Sequence, residues 1–196
     1  MNFLLFLIVL AGLVVWFLRR RGHADVLEVG TVAPDFNLLD GDLRRHRLGD
    51  YRGRWLVLYF YPRDATPICT AEACNLRDSD AAFKARNVAL LGVSLNDTAS
   101  HNAFAQRHGL PFPLLSDLDG TVARAYGSLR DFGVFRIAKR HTFLIDPEGR
   151  IARVYRDIVA KTQAQTILAD LDRLAANIEL VTPASGANNQ SIPRNS

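Results

Sequence analysis

Two uninterrupted apolar runs, Trp55 to Tyr61 and Val88 to Leu95, limit what this chain can fold into more than any other feature of it. Neither alternates apolar with polar residues, so each suits a central strand covered on both faces rather than a strand with one wet side. Pro62 ends the first run. Thr66-Pro67 then opens a stretch with Ala73, Leu76 and Phe83 on one stripe, which predicts a helix to about Asn87. Further helices are expected from about Thr98 to His108, over Val122 to Tyr126, and along a closing face of Ile167, Leu168, Leu171, Leu174, Ala175 and Ile178. Phe112 to Leu115 reads as another strand. One hairpin runs from Phe36 to Leu39 through Asp40-Gly41 and back from Leu43 to Leu48. A second joins Thr142–Ile145 to Ile151–Tyr155 through the turn 146–149. Strands alternating with helices imply an α/β domain in three layers, and the hairpins make its central sheet mixed, with helices flanking it.

With 196 residues, 48% hydrophobic and 22% charged, the chain fits one ordered domain. Two cysteines exclude a disulfide-stapled mini-protein and a four-thiolate zinc site. The net charge is +4, and Arg19, Arg20 and Arg21 supply three of those charges, so subtracting three leaves +1 for the rest. That balance gives no footprint for nucleic acid, which is not expected as a partner.

The basic run instead follows Phe3 to Leu18, a segment free of charge that is apolar except at Gly12. Sixteen helical residues span about 24 Å, and snorkelling arginines with an interfacial Trp16 would extend that reach. A cleaved signal peptide carries its charge before the apolar segment rather than after it. The segment is therefore expected to be one N-terminal transmembrane helix. The positive-inside rule then makes the chain a single-pass membrane protein with a cytoplasmic domain and resting thiols reduced. The expected organisation is an anchor over 1–21, a linker over 22–31, a domain over 32–180 and a disordered tail over 181–196, where Pro, Ser, Gly, Asn and Gln dominate. No internal repeat is present.

The chemistry centres on Cys69. With Thr66 as N-cap and Pro67 at N1, Cys69 falls at N3, beside free backbone N–H groups and the positive end of the helix dipole. Both favour thiolate, the nucleophilic form. The Thr66 hydroxyl would face the same place and could hold a substrate oxygen. The alternative is a buried structural cysteine. Cys74 lies five residues further, which on an intact helix puts the two Cα atoms roughly 8–9 Å apart. Disulfides need about 4.4–6.8 Å, so the pair bridges only if the first turns unwind. The same geometry argues against joint metal ligation by the intact helix.

Pro62, Thr66 and Cys69 fit the signature P-x-x-x-T-x-x-C, and the string from Tyr59 to Asp78 extends the match through Glu72, Ala73, Cys74 and Arg77. In this the chain resembles the peroxiredoxins, and among them the bacterioferritin-comigratory/peroxiredoxin Q subfamily, over about Val29 to Ile178. The resemblance implies a thioredoxin-like fold. It also implies a thiol-dependent peroxidase acting on hydrogen peroxide and organic hydroperoxides without metal or organic cofactor. By the same resemblance Cys69 is the peroxidatic cysteine, Cys74 the resolving cysteine and Arg140 the active-site arginine. Pro62 shields the pocket, Thr66 orients the peroxide, and thioredoxin or a similar dithiol regenerates the thiols in a monomer or weak dimer. The chain departs from the family at Ile68, where Gly is common, and at His141, where a small residue is common.

Other signals are weaker. Asp117-Leu118-Asp119-Gly120 lacks the spacing of a calcium loop and reads as a turn and helix cap. The two N-x-S/T matches, at Asn96 and Asn189, carry no weight. His23, His46, His101, His108 and His141 show no pairing on one face, so solvated or satisfied positions are expected. Glu72 is expected to offset the helix dipole and position the loop. The rival functions are a membrane-anchored thiol–disulfide oxidoreductase, which expects C-x-x-C where this chain has C-x-x-x-x-C, a copper-delivery protein on the same fold, which needs two thiols and a histidine at one point, and a catalytically silent interaction module.

Overall fold

The computed structural model describes residues 27–156 and 159–181, with side chains described as far as residue 175. Its strands are β1 (Asn37–Asp40), β2 (Arg45–Arg47), β3 (Trp55–Phe60), β4 (Val88–Ser94), β5 (Leu114–Ser116), β6 (Leu129–Asp131), β7 (Arg136–Ala138), β8 (Thr142–Ile145) and β9 (Ile151–Tyr155). The helices are α1 (Pro67–Asp78), α2 (Asp80–Ala85), α3 (Thr98–His108), α4 (Thr121–Ala125) and α5 (Gln163–Val181).

Seven strands form one mixed sheet in the order β2-β1-β5-β4-β3-β8-β9, while β6 and β7 pair separately. The two apolar runs are its parallel centre, with Trp55 opposite Val88 and Phe60 opposite Val93. Strand alternation explains why both had to be apolar throughout. Leu56, Leu58 and Phe60 pack on one face with Phe36, Val122, Tyr126 and Phe143. Val57, Tyr59 and Tyr61 pack on the other with Cys69, Leu76, Phe83, Phe104 and Ile167. Helices α1, α2, α3 and α5 thus cover one side, and α4 with the segment around Phe36 covers the other. Gly92 of β4 is required here, because a Cβ would lie 2.8 Å from the Tyr59 hydroxyl and 2.6 Å from Leu114. This is the mixed sheet flanked by helices that the sequence predicts.

Three local differences have physical causes. The helix expected to reach Asn87 breaks at Ser79 (φ −106°, ψ 5°), which ends α1 and precedes α2. Asp78-Ser79-Asp80 are residues whose side chains compete with helical backbone bonding, and Asp80 is favourable at the new N-terminus. The β6–β7 hairpin was not expected, since its strands have three residues each and are mostly exposed. At the chain's described start, the Gly30 N–H donates to the Ile151 carbonyl and the Ile151 N–H to the Thr31 carbonyl, so residues 30–31 lie against β9.

The expected single-pass membrane placement is corrected. Among the described residues no helix is long and apolar enough to cross a membrane. A span needs about 20 predominantly apolar residues, and α5, the longest helix, carries Asp170, Asp172 and Arg173. The segment 1–21 read as an anchor, the linker's start at 22–26 and the tail from 182 lie outside the described residues.

Candidate active site

The site is built where β3 runs out. Tyr61 is still buried under the sheet, Pro62 breaks the ladder, and the chain turns through Arg63-Asp64-Ala65 to Thr66, the N-cap of α1. Four bonds pin this turn from inside. The Asp64 N–H donates to Asn96 Oδ1 at 3.1 Å, and its carboxylate accepts from Tyr61 Oη (2.7 Å), Ser100 Oγ (2.7 Å) and His101 Nδ1 (2.9 Å). His101 is fully buried, and its Nε2 faces the Leu115 carbonyl at 3.1 Å. Ala65 then adopts the left-handed region at φ 56°, a strained conformation for a residue with a Cβ.

Thr66 is the N-cap by its backbone (φ −81°, ψ 148°), yet its hydroxyl makes no capping bond and donates to the Arg63 carbonyl at 3.1 Å. Pro67 is N1, Ile68 is N2 with its side chain 63% exposed, and Cys69 is N3 at 1% exposure. Ile68 therefore points to solvent and does not crowd the sulfur.

Arg140 arrives from the short connection between β7 and β8. Its Nη2 donates to Cys69 Sγ at 3.2 Å, and its Nη1 donates to Glu72 Oε2. Two residues 71 apart in sequence are thus brought together, with Arg140 only partly exposed. Glu72 is more than a dipole offset. It lies in the second turn of α1, is fully buried, and is the counter-charge that fixes the guanidinium. Burial pushes its carboxyl up to about 7, against the opposing pull of the Arg140 charge.

Around this pair is a buried polar layer that sequence reading did not find. Tyr59 Oη, Glu72 Oε1 and Gln163 Oε1 are buried without a hydrogen-bond partner, and Gln163 Nε2 donates to Thr142 Oγ1 at 2.9 Å. Burial first, and the Glu72 charge second, hold the Tyr59 phenol well above its ordinary range, so it stays protonated. The residues come from β3, α1, β8 and α5, and no local sequence signal could have joined them. His141 is buried beside Arg140, with Nδ1 at 3.1 Å from Ser128 Oγ.

Cys74 lies further along the same unbroken helix, and both cysteines are free thiols. Asn75, the next residue, ties α1 to α5: its Oδ1 accepts from the Ala164 N–H at 2.9 Å and its Nδ2 donates to Gln165 Oε1 at 3.2 Å. Pro62 lines a cleft together with Arg140. Among the described residues no three of His, Cys, Asp and Glu converge where they could hold a metal, so the residue set that a copper carrier needs is not assembled there.

A thiol in the first turn of a helix, gripped by an arginine at the end of a mixed α/β sheet, defines a cysteine-dependent redox protein on a thioredoxin-like fold. The comparisons narrow the class. The AhpC/TSA family matches residues 29–154. The Bacillus subtilis protein named Peroxiredoxin Bcp is 38% identical over 149 residues, 74% of this chain and 95% of that protein. A rice protein named Putative peroxiredoxin Q, chloroplastic, is 40% identical over 140 residues, 71% of this chain and 64% of that protein. The crystal structure of the peroxidoxin BcpB from Mycobacterium tuberculosis superposes with a TM-score of 0.72 at 32% identity, over 76% of this chain and 98% of that one. The chain belongs to the AhpC/TSA family, the peroxiredoxins, with relatives of the Bcp and peroxiredoxin Q type.

Proposed function

We propose that this peroxiredoxin reduces hydrogen peroxide and organic hydroperoxides at Cys69, with Cys74 resolving the oxidised sulfur and thioredoxin or a similar dithiol restoring it. The observation that carries this reading is the Arg140 guanidinium 3.2 Å from a sulfur at N3 of α1. The guanidinium and the helix N-terminus put positive charge and N–H donors beside the sulfur, where charge develops as the peroxide bond breaks.

The thiolate attacks the terminal peroxide oxygen and the O–O bond breaks. Two electrons pass from sulfur to the peroxide, the leaving oxygen takes a proton and departs as alcohol or water, and Cys69 becomes a sulfenic acid. Arg140 steadies the charge on the parting oxygens. Thr66, its proton directed at the Arg63 carbonyl, keeps oxygen lone pairs to accept a bond from the peroxide O–H. Pro62 shields the sulfur from bulk water. The Cys74 thiol then condenses with the sulfenic acid, releasing water and forming a disulfide, and an external dithiol returns both thiols by exchange. The electrons come from sulfur, so no metal or organic cofactor enters, and a monomer or weak dimer suffices because both cysteines belong to one chain.

The test is the intact mass of the reduced chain before and after one equivalent of hydrogen peroxide. A loss of about 2 Da, replaced in Cys74→Ser by a gain of about 16 Da, is expected. Cys69→Ser should show neither change, and peroxide consumption by Cys69→Ser would refute the assignment.

A further inference from the structure

The cleft lined by Pro62 and by Arg140, whose guanidinium also reaches the Cys69 sulfur, has a volume of about 300 Å³ and an unusual charge. Arg130 of β6, Lys139, Arg140 and Arg156 all line it, together with the apolar Ile137, and no Asp or Glu does. Arg140 is paired with Glu72. Among the described residues no carboxylate stands within ion-pair distance of Arg130, Lys139 or Arg156. Arginines without an acidic partner occur elsewhere on the described surface too, and what sets Arg130 and Arg156 apart is that they line one concavity with Lys139 and Arg140. The Lys139 ammonium donates to the Gly127 carbonyl at 3.1 Å, and burial, then Arg130 and Arg156, hold it below its ordinary range.

Like charges gathered in a concavity repel one another, and an anion entering it relieves that repulsion. A solvated basic face would be convex and dispersed, and a polyanion would need the charges spread across a surface rather than gathered around one small cleft. The apolar walls, Pro62 and Ile137, suit a short hydrocarbon. Arg130 and Ile137 sit on the β6–β7 hairpin, whose tip holds the exposed, stacked pair Phe132 and Phe135 with centroids 4.6 Å apart.

We infer that this cleft is a subsite for a negatively charged group on the peroxide, so that the enzyme prefers hydroperoxides bearing a carboxylate over neutral ones of the same size. The carboxylate is held by Arg130, Lys139 and Arg156, and the hydrocarbon lies along Ile137 and Pro62 with the O–O group towards Cys69. This rests on the peroxidase reading above and adds its substrate class.

The experiment compares kcat/KM of the full chain for cumene hydroperoxide and for its para-carboxylate analogue, with dithiothreitol as reductant. The carboxylated substrate should be favoured. In Arg130→Gln/Arg156→Gln the ratio of the two values should fall about tenfold, the size of one lost charge-assisted contact. In the wild type alone, which avoids any question of folding, the ratio should fall as salt rises from about 0.05 to 0.5 M. A wild type indifferent to the carboxylate, or a ratio the double variant leaves unchanged, overturns the subsite. Consumption of hydrogen peroxide by the wild type separates the two readings. If it is absent both fall, and if it is present an unmoved ratio removes the subsite alone.

Discussion

Replacing His101 with Phe tests the clasp that holds the loop before Cys69. Both ring nitrogens of His101 face acceptors, the Asp64 carboxylate at 2.9 Å and the Leu115 carbonyl at 3.1 Å, and both bonds form together only when the imidazole carries two protons. The clasp is buried, with the imidazole side chain wholly inaccessible and that of Asp64 4% exposed. Phe fills the space but leaves a buried carboxylate with only Tyr61 and Ser100 as side-chain donors. Breaking one side of a buried pair costs about 3–5 kcal/mol, and the two surviving donors place this case near 3. For a domain of this size that lowers Tm by roughly 6–12 °C. The pH response has a definite sign. Burial acts to raise the Asp64 carboxyl, but the bond and charge of His101, with Ser100 and Tyr61, outweigh it and hold the group below the ordinary carboxylate range. A depressed folded value means a contribution present above about pH 4 and lost as pH falls through the folded value. His101→Phe removes that contribution and moves the acid-unfolding midpoint upward. Thermal melts across pH 3 to 7 read both effects. A Tm within about 2 °C of wild type at neutral pH, with the acid midpoint unmoved, would refute the argument that His101 holds the Asp64 carboxylate.

Glu72→Gln should flatten the stability–pH profile between about pH 5 and 8. The raised folded value of Glu72 contributes stability that is complete at low pH and fades as pH rises through about 7, a swing of roughly 3 kcal/mol that a neutral Gln cannot show. Parallel melting curves for the two proteins would sink this. Ala65→Gly should raise Tm by about 1–4 °C by removing the strain at φ 56°, and a lower Tm would show that Ala65 is not strained. Asn75→Ala removes the bond capping the Ala164 N–H and should cost about 1 kcal/mol in a denaturant titration. No change in midpoint would mean that water replaces the cap without loss.

What the sequence made legible follows from the range of each interaction. The helix over Thr98–His108 was found to the residue because its ends are local. The Asp97 carboxylate accepts from the Ser100 N–H at 2.7 Å, and Gly109 at φ 58° closes the other end with the Leu110 N–H on the Ala105 carbonyl. The central strands were found because burial on both faces leaves no polar position in them except Ser94 at the end of β4. Cys69 was singled out by its motif and Arg140 by the family resemblance, and the fold puts the two 3.2 Å apart. Glu72 reads in sequence as an acid that offsets the helix dipole, since its burial depends on α5 and β8, which no window around residue 72 contains. The Asp64–His101 pair spans 37 residues and looks, in sequence, like a loop acid and an unremarkable helical histidine. The β6–β7 hairpin has strands of only three residues, too short to set up a period, and the cationic cleft it helps build draws its charges from positions 130, 139, 140 and 156, which no single window contains.

The boundaries of the segment that must unwind in the proposed cycle are marked on the molecule. At its start, Ala65 is strained and Thr66 offers no side-chain cap, so the first turn of α1 lacks about 1 kcal/mol that a good N-cap would supply. At its far end Asn75, one residue past Cys74, is bonded to both Ala164 and Gln165 of α5. Between these limits lie Cys69, Glu72 and Cys74, and the first two are held by a single guanidinium. While the sulfur is anionic, Arg140 binds two negative groups and keeps the turn wound. Once the sulfur is a neutral sulfenic acid, one of those attractions is gone. What remains is a carboxylate whose burial is unfavourable and whose second oxygen has no partner. Unwinding from Pro67 to Cys74 hydrates that carboxylate and frees Cys74 to reach the oxidised sulfur, while Asn75 keeps the rest of α1 docked. In the proposed cycle, oxidation therefore weakens the helix start at the step where the disulfide needs it loose, and the intact thiol state has the stronger reason to stay folded.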